Sequence, residues 1–127
     1  MSQIMPYDPE LFERARRVAA DLPGIEVSSS YGRPALKVKG KFLAANSREP
    51  GALVVSCPIP LKEHLIESRP DIYFETEHYR GWPAVLVRMD AIDDGMLGAR
   101  LEAAWLERAP KRMARLWLEK GGLDGEA

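Results

Sequence analysis

Ala35-Leu36-Lys37-Val38-Lys39-Gly40-Lys41-Phe42-Leu43-Ala44-Ala45 is the stretch whose reading decides the fold. It reads as two strands, Ala35 to Val38 and Lys41 to Ala45, joined tightly at Lys39-Gly40. Gly40 supplies the backbone angles that a two-residue hairpin demands. A connection that short makes the pair antiparallel. Leu36 and Val38 share one face, and Lys37 and Lys39 share the other.

Downstream, Asn46 to Gly51 is a polar loop and Ala52 to Cys57 is a further strand. Leu53 and Val55 lie on one face of it and Val54 on the other, the pattern of an interior strand. Pro58 and Pro60 stop the sheet, and a short helix runs from Pro60 through Ser68 with Leu61, Leu65 and Ile66 as its apolar positions. Pro70-Asp71 breaks it. Ile72 to Thr76 returns to strand, with Ile72 and Phe74 expected inward and Tyr73 and Glu75 outward. Glu77-His78-Tyr79-Arg80-Gly81-Trp82-Pro83 is a turn into a strand over Ala84–Met89. Asp93 or Asp94 caps a helix to about Ala109, on which Leu97, Leu101, Ala104 and Trp105 recur at helical spacing. Pro110 interrupts, and a last helix spans Lys111 to about Lys120.

Upstream of the hairpin, Tyr31-Gly32-Arg33-Pro34 reads as a turn and Ile25 to Ser30 as a short strand or an extended lead-in. Asp8-Pro9 opens a first helix carrying Phe12, Ala15, Ala19 and Leu22 on one face, ended by Pro23-Gly24. The order is helix, four strands, short helix, two strands, one or two helices. Tight turns and segregated helices predict an α+β fold, an antiparallel sheet packed against helices in two layers.

The 127 residues suit a single domain, with a core over about 8–120 and a frayed tail at 121–127. The chain is 46% hydrophobic and 29% charged with a net charge of −1, so it is no polycation, and any nucleic-acid site must come from local clustering. The lone Cys57 forms no intrachain disulfide and reads as a buried, inert thiol. The start lacks the pattern of a signal peptide and no apolar run reaches the length of a membrane span, so the expected location is the cytoplasm, with no membrane partner and a monomeric state.

Local clustering does occur. No acidic residue stands between Val27 and Ser47, a stretch that holds Arg33, Lys37, Lys39 and Lys41. Lys111, Arg112 and Arg115 follow Pro110, and Arg80 and Arg88 flank the turn at Gly81. If these converge they could neutralise several phosphates, with Trp82, Tyr79 and Tyr31 free to stack on bases. A solvated sheet face whose lysines discourage edge pairing is the structural alternative. His78 could donate to an anion or act as a base, or serve only as a turn histidine; no nucleophile or acid partner is set by spacing. His64 and Glu67 stand one helical turn apart, but two ligands do not make a metal site. Ser28-Ser29-Ser30 has no nucleophile elbow, and no Gly-rich phosphate loop or dinucleotide fingerprint is present. No catalytic residue, metal or cofactor is expected.

Three ordered stretches carry a family resemblance. Ser30 to Val38 with Lys41 to Ala44, His78 to Val87, and Ala109-Pro110-Lys111-Arg112, led by Leu22-Pro23-Gly24, resemble the signatures of the MmcQ/YjbR family. The resemblance implies a CyaY-like, frataxin-like two-layer sandwich. It also implies a DNA-binding label, through a proposed double-wing arrangement of the sheet, and no catalytic activity or cofactor. The acidic iron-binding helix of frataxins has no counterpart, since Asp8, Glu10 and Glu13 are interleaved with Arg14, Arg16 and Arg17. Two functional expectations result. The first is a non-catalytic DNA-binding protein that contacts phosphates through Arg33, Lys37, Lys39, Lys41, Arg80, Lys111 and Arg112, with Trp82 stacking or wedging. The second is a small-ligand or protein-interaction module with a pocket around Tyr31, His78, Tyr79 and Trp82.

Overall fold

The computed structural model describes residues 8–124. Helix α1 (Pro9–Val18) starts where Asp8 accepts a hydrogen bond from the Glu10 amide at 3.0 Å. Strands β1 (Ile25–Ser30), β2 (Arg33–Val38), β3 (Lys41–Asn46) and β4 (Ala52–Ser56) follow. Helix α2 (Ile59–Ser68), strands β5 (Tyr73–Phe74) and β6 (Ala84–Arg88), and helices α3 (Asp94–Arg108) and α4 (Lys111–Glu119) complete the chain. The six strands pair antiparallel in the order β1-β2-β3-β4-β6-β5, and the helices form the second layer of an α+β sandwich. β4 is central, and all five of its residues are buried, as its two apolar faces predict.

Two hairpin turns set the register of the first three strands. Tyr31 and Gly32 have φ of 52° and 79°, and Lys39 and Gly40 have 49° and 77°. Positive φ at both loop residues matches the right-handed twist of the flanking strands. A bulge then interrupts the second hairpin. Leu36 pairs with Ala44 but Lys37 pairs with Phe42, so Leu43 is the extra residue. Leu43 and Ala44 both face the helices in consequence, and Phe42 turns to the opposite face.

The two faces bury different side chains. Leu36, Val38, Leu53, Val55, Val85 and Val87 point at the helices. There they meet Phe12 and Ala15 of α1 and Leu97, Leu101 and Trp105 of α3. Trp105 is fully buried, donates Nε1–H to the Pro23 carbonyl at 2.8 Å, and meets Trp117 of α4 edge-on at 5.8 Å. Asp93 caps α3 by accepting from the Met96 amide at 2.7 Å. Arg14 ties α1 to this start, donating to Asp94 at 2.7 Å and to the carbonyls of Met89 and Ile92. The other face carries Ala35, Ala45, Ala52, Val54, Ala84 and Leu86, and among the described residues no α-helix contributes to that cluster.

Four expectations are corrected. Arg33 and Pro34 belong to β2 and the turn is Tyr31-Gly32 alone; β3 pairs with β2 only from Ala35 onward, so the Pro34 ring displaces no bond on that side. α1 ends at Val18, because the amides of Ala20 and Leu22 bond three residues back and tighten the chain into turns, although Ala19 and Leu22 stay buried. Tyr73, not Phe74, faces the helices; the amides of Ile72 and Tyr73 both bond the Arg69 carbonyl, so strand alternation begins only at Tyr73. The tail is held as far as Asp124: Gly122–Asp124 form a 3-10 turn, and the Leu123 amide donates to Glu102 at 3.0 Å. Residues 125–127 lie outside the described residues. Among the described residues no helix is long and apolar enough to cross a membrane.

Candidate functional site

The open face of the sheet is roofed in part by the segment between β5 and β6. Glu77–Tyr79 make a 3-10 turn, and Gly81 (φ 81°) reverses the chain. Tyr79 is buried against Ala35, Ala45, Val54 and Leu86, and its hydroxyl accepts from the Arg48 amide at 3.1 Å. Lys62 pins the segment from below. This α2 lysine is 3% exposed, donates to the carbonyls of Tyr79 and Trp82 at 2.9 Å each, and lies 2.7 Å from Glu75. A buried ammonium needs such a full set of acceptors.

Between this roof and the Tyr31-Gly32 turn lies a concave pocket of about 670 Å³. That volume lies within the range of sites that enclose small organic ligands. Ala45, Val54, Ser56 and Ala84 line it from the strands, Phe42 and Tyr31 from the hairpins, and His78, Tyr79 and Trp82 from the roof. The three roof rings touch one another: His78 meets Tyr79 edge-on at 4.8 Å and Trp82 at 5.8 Å with a 34° tilt. Trp82 and Tyr31 are 44% and 86% exposed, so both stand at the mouth.

The charge of the pocket is one-sided. Arg33, Arg48 and Arg108 line it, and among the described residues no Asp or Glu does. Arg48 Nη1 is 3.1 Å from His78 Nδ1; a guanidinium only donates, so Nδ1 is the acceptor. Arg108 donates to Ser56 Oγ at 2.9 Å. The Nε of Arg33 is buried without a hydrogen-bond partner.

Matching against known families decides the kinship. The YjbR family model matches residues 20–107. The chain belongs to the YjbR family. Among its relatives are the uncharacterized proteins Mb2600 of Mycobacterium bovis and Rv2570 of Mycobacterium tuberculosis. Each is 34% identical over 97 residues, covering 73% of this chain and 75% of the relative. The crystal structure of Deinococcus radiodurans protein DR2400, with family-model domain DUF419, superposes with a TM-score of 0.61 at 20% identity. It covers 91% of this chain and 83% of that one, and the likeness is one of fold.

Within this YjbR fold, Tyr31, His78, Tyr79 and Trp82 come together in one pocket, and Arg33 joins them. The basic residues of the phosphate-contact set separate. Lys41 and Lys111 meet at a shallower groove of about 720 Å³, with Arg115 and Arg108 but also Glu107 and Glu119. Lys37, Lys39, Arg80 and Arg112 line neither cavity. Lys37 stands opposite Glu26 across the β1–β2 ladder, and Arg80 lies 3.9 Å from Glu77. Lys39 sits in the hairpin turn and not on the strand face it was expected to share with Lys37.

Sequence reading missed Phe42, Arg48 and Arg108 as pocket residues and Lys62 as the anchor. The bulge that turns Phe42 leaves no mark in the hydrophobic pattern. Arg48 is one polar residue in a polar loop, and Arg108 arrives from a helix 52 positions after its partner Ser56. The expected role of Cys57 fits its place: burial pushes its thiol above the usual range, so it is a poor nucleophile. His64 and Glu67 are both exposed on α2, and no group of three metal-ligating side chains occurs among the described residues.

Proposed function

We propose that this YjbR protein is a non-catalytic binding module that takes a small molecule into the pocket between the Tyr31-Gly32 turn and the Glu77–Pro83 roof. The convergence of Tyr31, His78, Tyr79 and Trp82 on one concave space of about 670 Å³ carries the reading. Aromatic walls with a few polar groups are the usual makeup of such sites. The partner of His78 is a guanidinium and not a carboxylate, which supports recognition over acid–base chemistry.

Tryptophan fluorescence tests it, because Trp82 is exposed while Trp105 and Trp117 are buried. In a chemically diverse fragment library, binders are expected to quench the exposed tryptophan, and Trp82→Ala is expected to lose both quench and binding. A library with no compound that depends on Trp82 overturns the reading.

DNA binding is the second reading, favoured by one observation: Arg108 lines both the pocket and the groove that holds Lys41 and Lys111. A duplex on that path would weaken steeply with salt, and a Lys41→Ala/Lys111→Ala variant would show a shallower salt slope. Absence of binding at low salt removes it. The acids Glu107 and Glu119 in the groove weigh against it.

A further inference from the structure

The pocket also specifies what kind of molecule it takes, an inference that rests on the small-ligand reading. We infer that its ligand is an anion: a flat ring compound bearing a carboxylate or phosphate, with the charged group on Arg33 and Arg48 and the ring against Trp82.

Arginine pairing across the molecule is the first ground. Arg14, Arg16, Arg17, Arg69, Arg80 and Arg115 each have a carboxylate partner. Of the six with none among the described residues, Arg88 and Arg100 lie over the rings of Phe74 and Tyr73, Arg112 lines neither cavity, and Arg33, Arg48 and Arg108 converge on the pocket. Three like charges around one concave space repel each other and raise its positive potential. An incoming anion relieves both effects.

The state of Arg33 is the second ground. Its Nε–H is buried and has no acceptor. A buried donor left unpaired is costly, and a guanidinium that meets no carboxylate within the fold keeps its outer N–H groups free to grip one, or a phosphate, with two parallel bonds. Arg33 holds the fourth position of the hairpin turn Ser30-Tyr31-Gly32-Arg33, paired across from Ser30, so the sheet fixes its backbone.

The ring requirement comes from the walls. Ala45 and Ala84 leave a shallow-sided floor where larger side chains would fill the space. Trp82 and His78 present faces only 34° apart. Tyr31 adds a third ring at the mouth from a left-handed backbone position (φ 52°), which suits Asn or Gly better than a bulky residue. At 86% exposure it recovers almost nothing by burial, so the strained tyrosine makes sense as a contact for something bound.

Two probe pairs test the inference by titration calorimetry at low salt: 1-naphthoate against 1-naphthamide, and adenosine 5′-monophosphate against adenosine. The charged member of at least one pair is expected to bind about 10- to 100-fold tighter than its neutral counterpart. Naphthoate alone identifies the carboxylate source, the nucleotide alone identifies the phosphate source, and either result supports the anion. Arg33→Gln is expected to abolish the preference; Arg48→Gln gives the same reading if Arg33→Gln fails to fold. Arg16→Gln, on the far layer, is expected to leave affinity unchanged. Equal affinity for charged and neutral members overturns the anion and leaves the pocket reading standing. Library compounds that bind through Trp82 while all four probes fail do the same. Failure of probes and library alike overturns both.

Discussion

Ala44 and Ala45 are consecutive on β3, and they belong to different environments. Ala44 faces the helices, fully enclosed by leucines, valines and aromatic rings from α1 and α3. Ala45 faces the other way and lines the pocket. The helix side of the sheet is built from Leu and Val and is filled by matching side chains. The open side is built mostly from alanines, with Tyr79 packed on them and His78 and Trp82 standing beside the space they leave. Hydrophobic burial drives both, but only the side with small residues below and a pinned segment above keeps room for a guest.

The largest effect that bears on this comparison is expected at Lys62. It holds the roof through two carbonyls and Glu75. Lys62→Met is expected to cost about 2–4 kcal/mol in chemical denaturation, below the upper range for a fully buried pair because Glu75 is 31% exposed. The emission of Trp82 should shift with it, while the near-UV signature of the Trp105–Trp117 pair persists. A variant as stable as the native protein would show that the roof does not depend on this anchor.

Paired substitutions on β3 sharpen the contrast directly. Ala44→Leu forces extra volume into a filled core and is expected to cost about 1–3 kcal/mol. Ala45→Leu grows into the pocket, so its stability should change by less than about 1 kcal/mol while ligand binding is lost. Equal destabilisation by both would mean that the open face is packed as tightly as the covered one.

A smaller effect, of opposite sign, is expected at Tyr31. Tyr31→Asn relieves a left-handed tyrosine and should raise stability by about 0.5–1 kcal/mol, measured by thermal unfolding. The same change should weaken ligand affinity, which would place the strain in service of the open face.

The smallest effect belongs to the covered side. Hydrogen bonding to Arg14 holds the Asp94 carboxyl below its ordinary value of 3.8, with Arg17 adding to the same effect. A carboxylate depressed in the folded state contributes stability that is fully present above the unfolded value and is lost as pH falls through the folded one. Asp94→Asn should therefore lower stability slightly at neutral pH, where the contribution is fully present, and make no difference at pH below the folded value, so that the acid limb of a stability–pH profile becomes flatter. An unchanged acid limb would remove Asp94 from the account.

Much of the architecture was legible because it rests on local chemistry. Asp8 and Asp93 cap the helices they were expected to cap or compete for, and Gly40 closes the hairpin that decides the fold. Pro110 stands at the start of α4 as expected, and α2 begins at Ile59, one residue before the Pro60 start that was expected. Tyr31, His78, Tyr79 and Trp82 were legible as a group since three of them share one turn. Lys62 was not legible: a lysine at a helix position beside Leu61 looks solvated until three acceptors from other segments surround it.

By itself the sequence determined the order of elements, the antiparallel pairing and the family, because capping, turn geometry and strand alternation act over a few residues. Only the tertiary structure decided the pocket. A one-residue bulge at Leu43 moved Phe42 across the sheet, Arg48 came within hydrogen-bond reach of His78, and Arg108 reached Ser56 from the far end of α3. Those placements depend on long-range packing, which no short-range pattern encodes.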